Sequence, residues 1–278
     1  MRIVVCVKQV SDPTTARYDV VAERVEVGEP VPNPLDLVAV EEALRLRENM
    51  GGEVLALTVG PAPADAVLRR TLLLGADRAV RVDVWRDSLD HEQRAFVLAR
   101  ALERLGYDLV LCGSRSADLQ TEYVGTAVAK HLGLPTLARV VAIECRRTGT
   151  LRLHKKTERG RREVYECRLP ALMTVEEELC TPRYVPILAR AYRVGLSKKI
   201  DVLALSDVGV AESDFPPSPY SASATRPRPR TKGASRPVSF WEQMEAQRRP
   251  SQGTLPVSAG GARECVARLR EWLKESRG

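Results

Sequence analysis

The hydroxyls of Ser114, Ser116 and Thr121, the amide of Gln120 and the carboxylate of Asp118 crowd into one short segment of the chain. Before it lies Tyr107–Cys112, an apolar run closed by Gly113, which reads as a strand covered on both faces. After it, from about Thr121, alanines, Val124, Val128, His131 and Leu132 recur at near-helical spacing until Gly133 and Pro135 stop the pattern. A polar loop that leaves the carboxyl end of a parallel strand and enters a helix presents free backbone N–H groups and the positive end of the helix dipole. The chemistry this suits is anion binding, phosphate above all. The same pattern also describes an ordinary strand-to-helix connection, of which an α/β sheet has several.

Other side chains with chemical potential lack the companions they would need. His91 and His131 fall on predicted helices and His154 on a predicted hairpin strand, with no GxSxG elbow or Cys–His pairing beside them, so they read as packing or surface residues. There is no GxGxxG after the first strand and no GxxxxGK[ST], which leaves neither a dinucleotide fingerprint nor a P-loop. Cysteines 6, 112, 145, 167, 180 and 265 show no CxxC or metal-ligand spacing and read as small core residues, with no disulfide and no zinc expected. Glu176–Glu178 reads as a charged surface loop, since no matching base or metal ligand stands near it. The run Arg226–Lys232, where arginines alternate with prolines, has no interleaved aromatics and reads as a solvated linker rather than a nucleic-acid surface.

The elements that must position the loop follow from the hydrophobic pattern. A chain of 278 residues that is 44% hydrophobic can bury a sizeable core. Strands are predicted over 2–8, 53–59, 79–82, 107–112, 138–144, 169–175 and 200–205, and helices over 37–46, 63–74, 88–105 and 121–132. Asn33 or Asp36 is placed to cap the first helix, and Gly51-Gly52 to end it. The alternation of strand and helix with short connections predicts a doubly wound, mostly parallel α/β sheet. Two alternating runs, 151–160 and 162–168, predict an antiparallel hairpin appended to it, and 18–27 a small hairpin or irregular excursion. One or two helical turns are expected over 187–191.

The folded domain is expected to span 1–210. Residues 211–261, rich in Pro, Arg and Ser, read as a linker or extended arm that carries much of the +7 net charge. Residues 262–278 follow, where Ala262, Cys265, Val266, Leu269, Trp272 and Leu273 share one face of an amphipathic helix. No run approaches the roughly 18 apolar residues of a membrane helix, and Met1–Lys8 reads as a strand rather than a signal peptide. A cytoplasmic protein without membrane insertion is expected.

Taken in order, these pieces resemble the β subunit of electron transfer flavoproteins, together with the related nitrogen-fixation electron carriers. The residues that carry the resemblance are Cys6–Val10, Asn33-Pro34-Leu35-Asp36 with Ala39–Leu46, Leu74–Arg78, Gly113–Gly125, Leu169–Thr174, Pro182-Arg183-Tyr184 and Asp207–Val210. They span about residues 1–210. The resemblance implies an adenine-nucleotide-hydrolase-like, Rossmann-like fold and an electron carrier rather than an enzyme with its own substrate. It implies a heterodimer with an α subunit that holds most of the FAD site, and AMP or a second FAD in this subunit. Carried over by position, the nucleotide is lined by Cys6, Asn33, Pro34, Leu35, Asp36, Val59, Arg115, Ser116, Ala117, Asp118, Leu119, Gln120, Thr121, Glu122, Tyr123, Val124, Gly125, Thr126 and Ala127. Asn33 and Asp36 are expected to bond ribose or adenine, and the amides of 119–124 with the Thr121 hydroxyl to face phosphate. The resemblance also implies docking of an acyl-CoA or other dehydrogenase, with a quinone reductase as acceptor, through Pro182, Arg183, Tyr184 and the apolar Ile187.

The loop departs from the family pattern. Where members carry glutamine, Asp-Gly-Asp-Thr and a further glutamine, this chain has Arg115, Asp118-Leu119-Gln120-Thr121 and Tyr123. A glycine is lost at 119 and a carboxylate at 120, while Arg115 offers a cation to phosphate. A stand-alone adenine-nucleotide-binding or hydrolysing protein, and a scaffold subunit with a degenerate site, are the alternatives.

Overall fold

Valine, leucine and alanine alternate between two apolar layers along each central strand. Ile3 and Val5 of strand β1 (Arg2–Cys6) face one helical layer while Val4 faces the other. The same alternation runs through β6 (Glu53–Gly60), β8 (Leu109–Gly113) and β12 (Ala171–Val175). Strands buried on both faces need helices on both faces. Helices α1 (Pro34–Met50) and α2 (Asp65–Leu74) cover one side, and α3 (His91–Leu105) and α4 (Val124–Leu132) the other. This computed structural model describes residues 1–12, 14–15, 17–19, 24–26, 28–84, 89–145, 150–185 and 199–216.

With β7 (Arg78–Asp83), β9 (Thr136–Cys145), β10 (Thr150–Lys156), β11 (Arg162–Arg168) and β13 (Ile200–Leu203), the sheet has the order β11-β10-β9-β12-β8-β1-β6-β7-β13. All neighbours from β9 to β13 in that order pair in parallel. In this sheet only β10 pairs antiparallel, with β9 on one side and β11 on the other, so the predicted hairpin extends the sheet at one edge. Two further small sheets join β2 (Gln9–Ser11) to β5 (Pro30–Pro32) and β3 (Arg17–Asp19) to β4 (Arg24–Glu26). The first strand thus ends at Cys6 rather than at residue 8, because Gln9–Ser11 leaves to pair with Pro30–Pro32.

Helix starts moved most. α3 begins at His91, where Asp90 accepts the Gln93 N–H at 2.8 Å in a reciprocal capping box. α4 begins at Val124 rather than Thr121, which leaves 121–123 in the loop. The packed body continues to Pro216, whose carbonyl accepts from Gln93 Nε2 at 3.1 Å. No helix among the described residues is long and apolar enough to cross a membrane. Ile187, the turns expected over 187–191, nearly all of the 211–261 arm and the 262–278 helix lie outside the described residues.

Candidate functional site

From β1 the chain steps outward through β6 and β7, then crosses back to lay β8 on the other side of β1. Two crossovers therefore diverge at the carboxyl ends of β1 and β8, and the crevice left there is where open α/β sheets take ligands. Asp36, in the first turn of α1, spans that crevice. Its Oδ2 accepts the Lys8 N–H at 2.7 Å and its Oδ1 the Gly113 N–H at 2.9 Å. Burial pushes its pKa up to about 6, although bonds from Lys8, Asn33 and Gly113 favour the ionised form. A Cβ at residue 113 would lie 2.5 Å from Asp36 Oδ1, so glycine is required for this approach.

Asn33 occupies the cap position of α1 but its side chain does not cap. Instead Nδ2 donates to the Arg115 carbonyl and Oδ1 accepts from the Ala117 N–H, both at 3.0 Å. Asn33 and Asp36 thus already hold the protein's own backbone with the groups that the sequence offered to ribose or adenine.

The cleft brings together Cys6, Asn33, Asp36 and Val59 with Arg115, Ser116, Thr121, Glu122, Tyr123, Val124 and Gly125. Pro34, Leu35, Ala117, Asp118, Leu119, Gln120, Thr126 and Ala127 are not on its wall; Leu119 is 58% exposed and Ala127 is buried in the core beneath. Beyond the set carried over by position, its wall includes Lys8, Ser114, His91 and Arg94, besides Thr58, Gly113 and several apolar residues. Lys8 stands inside the Cys6–Val10 motif and Ser114 directly follows Gly113, so both carried a positional signal. His91 and Arg94 come from the start of α3, on a different crossover, and carried none.

Ser114 is 5% exposed, and its Oγ finds no partner among the described residues. A buried hydroxyl left so lacks a hydrogen bond that a ligand oxygen in the cleft could supply. Lys8 Nζ lies 2.6 and 2.7 Å from the Asp118 carboxylate oxygens and 3.4 Å from Ser116 Oγ. Burial opposes ionisation of Asp118, yet the bonds from Lys8 and Ser116 hold its carboxyl below the usual range. Burial, then Lys8 and Arg94, lower the pKa of His91.

Arg115 is not a free cation: its Nη1 lies 3.3 Å from Glu176 Oε2 and 3.9 Å from Glu122 Oε1. Arg139 Nε approaches Glu176 Oε1 at 3.0 Å from the other side. Glu176 is 7% exposed, so the reading of 176–178 as a charged surface loop fails at its first residue. The bulge that aims Arg139 lies where β9 slips register against β12, with Arg139 itself at φ 63. Positive φ in the loop falls on Gln120 (50°) and Glu122 (53°), not on Leu119. Both are non-glycine residues held in a sparsely populated conformation, a feature that clusters at ligand-binding loops.

α4 is fastened at both ends. A Cβ at Gly125 would lie 2.7 Å from Cys112 Sγ and from Thr174 Cγ2, so the helix start sits directly on β8 and β12. The Tyr123 hydroxyl donates to Glu92 of α3, and His131 Nε2 lies 3.0 Å from the other oxygen of Glu92. Phe96 meets the His131 ring edge-on at 5.6 Å, while His154 lies 3.1 Å from Glu144 on the hairpin.

Pro182-Arg183-Tyr184 follows β12 in the chain. Arg183 donates to Glu41 from its backbone N–H (3.0 Å), Nε (2.8 Å) and Nη2 (3.1 Å), and to Glu48 from Nη1 (2.8 Å). These bonds raise its pKa further still above the ordinary arginine value. Arg183 is therefore an anchor to α1, whereas Tyr184 is 93% exposed.

Comparison with known proteins gives this geometry relatives. A family model described as "Electron transfer flavoprotein domain" matches residues 21–208. The chain is 34% identical to electron transfer flavoprotein subunit beta of Thermoanaerobacterium thermosaccharolyticum, over 77% of this chain and 83% of that protein. It is 37% identical to protein FixA of Sinorhizobium fredii, over 64% of this chain and 65% of that protein. It is also 33% identical to the caffeyl-CoA reductase-Etf complex subunit CarD of Acetobacterium woodii, over 78% and 89% respectively.

Proposed function

The chain belongs to the electron transfer flavoprotein family, and on that premise we propose that it is the β-type subunit of an electron carrier. It pairs with an α subunit that holds most of an FAD site and passes electrons between an acyl-CoA or other dehydrogenase and a quinone reductase or other acceptor. An adenine nucleotide, AMP or a second FAD, occupies the cleft between β1 and β8. The observation that carries the nucleotide assignment is the buried Ser114 hydroxyl, which has no partner among the described residues. It lines the same cleft as Val124 and Gly125 at the start of α4, whose amides face no preceding turn.

The residues present fit such a group. Gly113 and Gly125 admit no side chain, which keeps the cleft's floor and its helix wall close to backbone. Ser114, Ser116 and Thr121 contribute hydroxyls, and Cys6 and Val59 an apolar floor. A flavin held here supplies a redox centre, and AMP a structural one. This chain's own residues bind and orient the nucleotide. Docking of the dehydrogenase is assigned to Tyr184 and the residues that follow it, Ile187 among them, with Arg183 fixing the base of that segment on α1.

Coexpression with an α subunit, followed by extraction of the bound nucleotides and their identification by mass, tests the reading. A yellow heterodimer with one FAD and one AMP, or with two FAD, is expected. A heterodimer with a single FAD and no further adenine nucleotide overturns the cleft assignment. A colourless monomer that hydrolyses ATP overturns the carrier assignment as a whole.

A further inference from the structure

We infer that Lys8 is the cation that meets the nucleotide's phosphate, and that Asp118 competes with the phosphate for it. The inference rests on the reading of the β1–β8 cleft as an adenine-nucleotide site and says what selects the phosphorylated ligand there.

The backbone of Lys8 is fixed at the switch point on both sides. Its N–H donates to Asp36 at 2.7 Å and its carbonyl accepts the Asn33 N–H at 2.9 Å. From this footing the side chain reaches into the cleft, and Nζ meets both oxygens of Asp118. The two side chains are 27% and 29% exposed, so the pair is sheltered without being sealed.

The nature of the partner separates Lys8 from Arg115, one of the two arginines at the wall; the other, Arg94, donates to the Leu89 carbonyl at 3.2 Å. Arg115 pairs with Glu176, whose carboxylate is 9% exposed and shared with Arg139 at the end of a core strand. Asp118 instead belongs to the loop that contains Gln120 and Glu122 in the left-handed region. Its carboxylate is one charge on a short tether. A phosphate brings up to two charges and three acceptor oxygens, and it can also take the Ser114 hydroxyl and the amides at the start of α4. Asp118 engages neither of those donors. Phosphate therefore exchanges for the carboxylate at Lys8, and Asp118 remains beside it as a like charge that weakens binding.

Equilibrium dialysis of the full chain against AMP and against adenosine tests this, with thermal melting of each variant as a check on folding. Lys8→Gln is expected to weaken AMP by about tenfold or more, the scale of a lost charge-assisted hydrogen bond, and to leave adenosine unchanged. Lys8→Arg retains most of the AMP affinity. Asp118→Asn strengthens AMP several-fold. Equal AMP affinity of Lys8→Gln and wild type, equal losses for AMP and adenosine, or weaker AMP binding by Asp118→Asn each overturns the inference. Should Lys8→Gln fail to fold, the direction of the Asp118→Asn change decides. Wild-type protein that binds neither ligand overturns the nucleotide reading itself, whereas the preceding outcomes leave that reading standing.

Discussion

At Asp36 a single carboxylate holds the ends of two strands, and burial raises its pKa from 3.8 to about 6. A group whose native pKa lies above its unfolded value contributes stability that is full below the unfolded value and is lost as pH rises through the native one. Stability from Asp36 therefore declines between about pH 4 and pH 6, by on the order of 3 kcal/mol at most. Asp36→Asn removes this titration but puts an amide where one of two backbone donors needs an acceptor. The variant should be clearly less stable than wild type near pH 4, and the gap should shrink as pH rises past about 6. Urea unfolding of both proteins at the two pH values measures the gap; an equal gap at both would show that Asp36 does not titrate in this range. The sequence singled out Asn33 and Asp36 as candidate site residues from their position in a motif. It did not reveal their partners, which stand 77 and 84 residues away in the chain, at Gly113 and Ala117.

Between elements, α4 sits hard against β8 and β12. Gly125→Ala would place a methyl group 2.7 Å from Cys112 Sγ and Thr174 Cγ2, so the helix start must lift from the strands. The cost is expected at about 1–3 kcal/mol, with loss of copurified adenine nucleotide from the cleft, and thermal melting with nucleotide extraction reads both. Nucleotide retained at wild-type content would show that the start of α4 does not have to sit where it does. Strongly periodic stretches such as α1, α3 and the 151–168 hairpin were legible from their own residues, because a buried stripe is written locally. The start of α4 was not, since Thr121 continues the helical composition while the backbone at Gln120 and Glu122 turns left-handed. Nor was the burial of Glu176, whose partners Arg115 and Arg139 lie 61 and 37 residues away, the second aimed at it by the bulge in β9.

Across the whole molecule, the sheet order places β12 between β8 and β9, with the entire β10–β11 hairpin made before it. Leu109, Val110 and Leu111 of β8 are fully buried, and on one side β12 completes their pairing. A fragment that stops at Leu169 leaves that edge of β8 open, and an uncovered apolar strand edge recruits other chains. The fragment is expected to pellet on expression, whereas one that ends after Pro216 stays in the supernatant. A monomeric, soluble 1–169 fragment would contradict this. During translation the same order sets a race. At about 5–20 residues per second, the ribosome needs several seconds to make the stretch from β8 to β12. For that interval the nascent chain exposes its most apolar edge, so chaperone demand during synthesis should fall on this one gap rather than on the chain at large.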